Sequence, residues 1–185
     1  MCPTQVNAPT SQAPHPLPPS KRCSTRVLVT GMSGTGKTTV IEELAARGHR
    51  AVDLDTPDWS EWIDIGPLDA LTPRRGKDWV WQEDKVRALL AEHHQGRLFV
   101  SGCAQNMARL FHLIDKIILL SAPVATIMQR LEARPSGVYG KAPEDRQKVQ
   151  LLITHIEPLL RQSADYEIDT TGSVSAIVTD ILRIS

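Results

Sequence analysis

Eight consecutive residues carry the clearest chemical signal in this chain. Gly31, Met32, Ser33, Gly34, Thr35, Gly36, Lys37 and Thr38 follow the spacing G-x-x-x-x-G-K-[ST]. Glycines so placed let successive backbone N–H groups curl around an anion, and a helix N-terminus behind them adds partial positive charge. In that arrangement Lys37 reaches the β- and γ-phosphates, the Thr38 hydroxyl holds Mg²⁺, and Thr39 adds to the first helical turn. The implied chemistry is the binding of a nucleoside triphosphate. A ligand-free glycine turn is the alternative, and the flanking residues argue against it. Residues 26–30 (Arg-Val-Leu-Val-Thr) read as a buried strand, and Val40, Ile41, Leu44 and Ala45 recur at helical spacing until Gly48.

Two carboxylates follow at a spacing that fits the same chemistry. Asp53 and Asp55 flank Leu54 at the end of an expected second strand over residues 50–55, which would point both to one side. A turn-initiating Asp pair before Thr56-Pro57 is the plainer reading. Further along, Arg130 and Arg134 stand one helical turn apart, leading into the Gly/Pro loop 134–142. Solvated arginines near a helix C-terminus would need no function.

The surrounding pattern alternates strands and helices. Strands are expected at 26–30, 50–55, 97–101, 116–120 and 166–169. Helices are expected from Lys37, over 83–94, 104–112 and 123–134, over 143–162 with a bend at Pro158, and from Val174. Ser121 is the expected cap of the fourth helix, and 169–171 (Asp-Thr-Thr) that of the last. Nearly continuous apolar strands specify an α/β fold with a parallel sheet, whose ligands bind beyond the strands' carboxyl ends. Residues 56–82 read as irregular, yet they hold all four tryptophans: Trp59, Trp62, Trp79 and Trp81. Either these rings stack on an acceptor or they form the miniature core of a small subdomain. Asp58, Glu61, Arg74, Arg75 and Lys77 lie among them.

Composition narrows the function classes. The chain has 185 residues, enough for one domain with a useful core, and 41% are apolar. Lys plus Arg and Asp plus Glu both number 21, a balance that argues against nucleic acid as a partner. No apolar run reaches transmembrane length, so no membrane role is expected. Residues 1–24 hold six prolines and few large apolar side chains, and are expected to be a disordered tail without a secretory leader. Cys2, Cys23 and Cys103 form no disulfide framework or zinc spacing, which suits a cytoplasmic setting. The six histidines also lack ligand spacing, and His93-His94 read as a solvated helix end.

From residue 25 to 185 the chain resembles the small P-loop kinases: shikimate kinase, gluconate kinase and the adenylate-kinase-like enzymes. The resemblance rests on the loop at 31–38, on Asp53-Leu54-Asp55, on 130–134 (Arg-Leu-Glu-Ala-Arg) with its following loop, and on Asp169-Thr170. It implies a three-layer α/β/α fold with a five-stranded parallel sheet of order 2-3-1-4-5. It also implies a substrate-binding insertion at about 56–82 and a lid at about 134–142. By the same resemblance Asp53 lies near the metal's water shell, Asp55 orients and deprotonates an acceptor hydroxyl, Arg130 and Arg134 neutralise the transferred group with Lys141 a weaker candidate, and Thr170 borders the base. After the third strand come Ser101, Gly102, Cys103, Gln105, Asn106 and Arg109. There the chain has neither the Asp-Gly and Pro-Arg of adenylate kinases nor the glycine triplet of shikimate kinases. Gly102 would face the acceptor, and Arg109 would clamp an anionic one or simply sit at the surface. A GTPase is excluded by the lack of N-K-x-D, and a ring-forming ATPase by length and by Ser101-Gly102-Cys103 in place of an Asp-Glu pair.

The expected protein is therefore an ATP- and Mg²⁺-dependent small-molecule phosphotransferase, acting as a monomer or homodimer. Nucleoside or nucleotide kinase chemistry is the alternative within this class. A non-catalytic ATP-binding regulator is the alternative outside it, opposed by the Asp pair and the lid arginines.

Overall fold

The computed structural model describes residues 24–66, 72–74, 76–92 and 95–185. The expected tail, Cys2, Cys23, Arg75 and the His93-His94 pair fall almost wholly outside these residues.

Five parallel strands form the central sheet: β1 (Thr25–Thr30), β2 (Arg50–Asp53), β5 (Arg97–Ser101), β6 (Lys116–Ser121) and β7 (Tyr166–Asp169). Their spatial order is β2-β5-β1-β6-β7, which is 2-3-1-4-5 when only the strands of this sheet are counted. The three middle strands are buried on both faces, and their alternation divides the core in two. Leu28, Leu98, Val100, Ile117 and Leu119 face one cluster with Val86, Leu90 and Leu110. Val27, Val29, Phe99, Ile118 and Leu120 face the other, with Val40, Leu44, Val178 and Ile181. Helices α1 (Lys37–Ala46) and α6 (Val174–Ile184) cover the second face. Helix α2 (Glu83–Ala91), a 3₁₀ segment (Met107–Leu113) and α5 (Glu157–Ser163) cover the first. Each fully buried Leu or Ile contributes roughly 1.5–3 kcal/mol of transfer free energy, so these two layers hold the sheet that aims the strand ends.

The described residues of 56–82, expected to be irregular, contain an antiparallel hairpin, β3 (Ser60–Asp64) and β4 (Lys77–Trp81), with Trp62 opposite Trp79 and Ser60 opposite Trp81. Val80 and Trp81 of β4 are buried, and the cross-strand Trp62–Trp79 pair adds an aromatic contact on the more exposed part. Strand β2 ends at Asp53, because Asp53 Oδ1 accepts the Asp55 N–H at 3.0 Å and turns the chain. Helix α3 (Val124–Glu132) has Pro123, not Ser121, at its N-cap. Ser121 belongs to the sheet, where its carbonyl accepts from Thr170 N at 2.8 Å and from Thr170 Oγ1 at 3.1 Å.

The long helix expected at 143–162 is two helices, α4 (Pro143–His155) and α5, divided at Ile156 just before Pro158. Helix α6 is capped by Ser173, whose Oγ accepts from Ala176 N at 3.3 Å, while Asp169 instead accepts from Thr171 N at 2.7 Å. Among the described residues no helix is long and apolar enough to cross a membrane.

Candidate active site

The turn between β1 and α1 ends at a helix N-terminus that no side chain caps. Gly36 sits at the N-cap of α1 with φ 96°, a left-handed conformation that costs a side-chain-bearing residue free energy. No side chain caps this helix end and no acidic residue lies in its first turn, so its first N–H groups remain available to an anion. Thr35 shapes the loop from within: its N–H and hydroxyl both meet the Met32 carbonyl, at 3.2 and 2.8 Å. Lys37 Nζ folds back to the Gly31 carbonyl at 2.8 Å and lies 3.9 Å from Asp55 Oδ2.

The two aspartates stand at this turn with different partners. Thr38 donates its hydroxyl to Asp53 Oδ2 at 2.8 Å, joining the start of α1 to the end of β2. Asp55 Oδ1 accepts from Cys103 N at 3.1 Å and from the Trp81 indole at 3.4 Å. Burial holds the Asp55 carboxyl above the ordinary carboxylate range, the Asp53 charge pushes it the same way, and Lys37 opposes both. The carboxylate still keeps 30% of its side-chain surface open to the cavity. Burial likewise raises the Cys103 thiol, so it is no nucleophile near neutrality. The Thr38 hydroxyl and the Asp53 carboxylate are hard oxygen donors beside free loop amides, a set that suits Mg²⁺ retaining several waters. Among the described residues no group of three or more His, Cys, Asp or Glu side chains could hold a metal ion.

Arg130 in the last turn of α3 and Arg134, two residues beyond the end of that helix at Glu132 and not inside it as the expected span 123–134 had it, bind the loop from the other side. Arg130 donates to Thr170 Oγ1 at 3.0 Å, to the Thr170 carbonyl at 2.6 Å and to the Gly34 carbonyl at 3.4 Å. Arg134 bridges Ser33 Oγ at 3.1 Å and the Tyr139 carbonyl at 2.6 Å, which draws the 134–142 loop toward the glycine turn. Burial lowers the Arg134 guanidinium from its usual value and raises the Tyr139 phenol to about 12, so both stay protonated at neutral pH.

The glycine turn, Asp55, Arg130 and Arg134 open into one cavity of about 1450 Å³, whose lining does not include Asp53. Its lining runs from the glycine turn, through Thr38, Thr39, Arg130, Arg134 and Thr170, to Asp55 and the hairpin. Trp62 and Trp79 form a wall there, ring centroids 4.9 Å apart, with the Arg74 guanidinium 4.3 Å above Trp62.

A family model described as AAA domain matches residues 27–152, which takes in the glycine turn, both aspartates and α3. The chain belongs to the AAA domain family. Its relatives are small P-loop kinases. Shikimate kinase 2 of Salmonella paratyphi B is 28% identical over 166 residues, covering 82% of this chain and 87% of that protein. The solved shikimate kinase of Acinetobacter baumannii, in complex with shikimate, aligns with a TM-score of 0.58 at 21% identity, over 88% of this chain and 93% of its own. A gluconokinase from Sinorhizobium meliloti aligns with a TM-score of 0.53 at 19% identity, over 86% and 90%. Likeness at these last identities establishes the fold.

Within this P-loop kinase frame most of the residues marked by sequence converge, and some do not. Arg109 is 74% exposed, pairs with Glu83 at 3.4 Å and lies outside the cavity lining. Trp59 packs against the core with Lys85 over its ring, away from the cavity. Trp81 is core as well, with its indole edge on Asp55. Gly102 is buried behind Asp55: a Cβ there would lie 2.7 Å from Asp55 Oδ1. Lys141 lines the cavity, its amine bound to the Glu132 carbonyl. Asp78 and Asp145 also line it without having stood out in the sequence. Asp145 opens α4, where an acidic residue is expected from the helix dipole alone.

Proposed function

We propose that this chain is an ATP- and Mg²⁺-dependent phosphotransferase acting on a hydroxyl or phosphate of a small molecule. The observation that carries the reading is the placement of Asp55, 3.9 Å from the loop lysine Lys37 and open to the same cavity. The amides of 33–38, flanked by Gly31, hold the phosphates, and Lys37 bridges toward the γ-phosphate. Thr38 and Asp53 hold the Mg²⁺, which when bound offsets charge on the phosphate oxygens. Arg130 with Thr170 borders the nucleotide, and Arg134 brings its charge in as the 134–142 lid settles. The hairpin is the acceptor-binding insertion, with Trp62 and Trp79 as its wall. Asp55 takes the acceptor hydroxyl's proton as that oxygen bonds to the γ-phosphorus, and the bond to the β–γ bridging oxygen breaks to release ADP. A burial-raised carboxyl is a better proton acceptor than an ordinary one. A cytoplasmic setting, where ATP is available, goes with this reading.

The paired rings of Trp62 and Trp79 favour one variant of it, in which the acceptor is a nucleoside or nucleotide whose base stacks there. The test is ADP release across a panel of hydroxy acids (shikimate and gluconate included), sugars, nucleosides and aminocyclitols. Lys37→Ala should abolish acceptor-dependent release and weaken ATP binding while the protein remains folded. Normal turnover by that variant would defeat the assignment.

A further inference from the structure

Trp81 closes β4 and is 2% exposed, so its ring cannot stack on a substrate. Its polar edge is nevertheless committed to one atom of the site. The indole N–H meets Asp55 Oδ1 at 3.4 Å, beside the Cys103 N–H at 3.1 Å. Its main chain is fixed on both sides by a single side chain: Trp81 N donates to Asn106 Oδ1 at 3.1 Å, and Asn106 Nδ2 donates to the Trp81 carbonyl at 2.9 Å. The Asn106 amide thus makes the two bonds that a neighbouring strand would make.

Gly102 completes the enclosure. A Cβ at this position would stand 2.7 Å from Asp55 Oδ1 and 2.9 Å from both Nε1 and Cζ2 of Trp81. The same strand grips Asp55 a second time, since the Trp79 indole donates to the Asp55 carbonyl at 3.2 Å. One carboxylate oxygen is therefore held by β4 and the 102–106 loop, and the other, Oδ2, is left facing Lys37 at 3.9 Å.

We propose that Trp81 and Asn106 are positioning residues for phosphoryl transfer: they lock Asp55 Oδ1 so that Oδ2 presents to the acceptor. The proposal rests on the role given to Asp55 above. It makes the hairpin a frame for the acceptor-activating carboxylate as well as a wall for the acceptor. Misplacing a reacting group by about 1 Å costs on the order of 10²-fold in rate, so releasing Oδ1 should act on turnover and spare nucleotide binding.

The first test needs no acceptor. In the full chain with ¹⁵N-labelled tryptophan, hydrogen exchange at the Trp81 indole should quicken at least about tenfold in Asp55→Ala, roughly the loss of one charge-assisted hydrogen bond. The Trp79 indole, bound to a carbonyl, should hold its rate. An unchanged Trp81 rate overturns the proposal, and so does equal acceleration of both indoles.

The second test is ADP release from Mg·ATP with whichever compound of the panel the unaltered protein phosphorylates. Trp81→Phe and Asn106→Leu should each lower kcat about 10–100-fold with the KM for Mg·ATP within twofold, and neither should lower kcat further in an Asp55→Asn background. Wild-type kcat in both variants, or full additivity with Asp55→Asn, overturns it. Thermal unfolding identifies a variant that merely fails to fold, in which case the indole exchange decides. If the unaltered protein phosphorylates nothing, the proposed function falls, and that failure is visible before any variant is made.

Discussion

The Thr38 hydroxyl donates to Asp53 Oδ2 across 2.8 Å, so the first turn of α1 and the last residue of β2 share one hydrogen bond, with Thr38 in the cavity lining and Asp53 outside it. Neither side chain has an apolar reason to be there, since Thr38 is exposed and Asp53 half-buried. Together they form an oxygen pair of the kind Mg²⁺ uses while keeping most of its waters.

Removing the carboxylate should therefore uncouple metal from nucleotide. Asp53→Asn is expected to raise the Mg²⁺ concentration for half-maximal turnover about 10–100-fold, the usual effect of losing a group that orients a metal's shell. Metal-free ATP binding should change little. Titrating Mg²⁺ at saturating ATP measures the first quantity, and calorimetry with EDTA present measures the second. An unchanged Mg²⁺ requirement would detach Asp53 from the metal.

Arg130 in α3 and Arg134 just beyond it are placed for different tasks. Arg130 commits its donors to Thr170 and Gly34, both in the cavity lining beside the glycine turn. Arg134 instead joins Ser33 to the 134–142 loop. Arg130→Ala should raise the KM for ATP more than it lowers kcat. Arg134→Ala should lower kcat by on the order of 10²-fold, the range for losing one positioned donor, and should speed proteolysis within 134–142. Steady-state kinetics and limited proteolysis separate the two; identical kinetic signatures would refute the division.

The parts legible in the sequence are those that depend on neighbours along the chain. Strand alternation, the glycine turn and the apolar stripe of α6 each follow from spacing, and the sheet order follows once the resemblance is granted. What escaped depends on partners far away. The hairpin's strands alternate no clean apolar face: Ser60, Glu61, Trp62, Ile63 and Asp64 place polar groups on both sides. It is held by contacts distant in sequence, the Trp62–Trp79 pairing across 17 residues and the burial of Trp81 in the core. At 53–55 the sequence allows both a strand end and an Asp-initiated turn, and the bond from the Asp55 amide to Asp53 decides for the turn. For Arg109 the sequence leaves a clamp and a surface role open, and the 3₁₀ segment decides for the surface by turning it outward onto Glu83.

On the hairpin side of the cavity, Arg74 and Trp62 form a stacked pair with Trp62 37% exposed. Exposed cation–π contacts are worth about 0.5–1 kcal/mol, and more once a ligand displaces water from them. Trp62→Ala should therefore raise the acceptor KM about fivefold or more while leaving the KM for ATP within error. Trp59→Ala, on a ring outside the cavity lining, should leave the acceptor KM alone. Equal effects of the two changes would remove the hairpin from acceptor recognition.

The electrostatics of Asp55 give a prediction about stability whose sign can be worked out. Burial raises its folded-state pKa above the ordinary carboxylate value of 3.8, and the charge of Asp53 adds to the rise against the opposing effect of Lys37. In the pH window between 3.8 and that raised value, the folded protein holds a proton that the unfolded chain has released. Stability from this group therefore falls as pH rises through the window, and the full cost is present above it. Asp55→Asn removes the charge and should raise Tm at pH 7, by roughly 2–4 °C for each kcal/mol relieved. The gain should shrink as pH falls toward 3.8 and vanish below it. Turnover should move the opposite way, since the variant has lost its proton acceptor and the unaltered protein should lose activity on the acid side above the usual carboxylate range. Thermal unfolding of both proteins from pH 4 to pH 8 checks the first statement and kcat over the same range checks the second. A variant less stable than the parent at pH 7 would mean that the Lys37 and main-chain contacts outweigh burial, and that Asp55 is held as an ordinary ionised carboxylate.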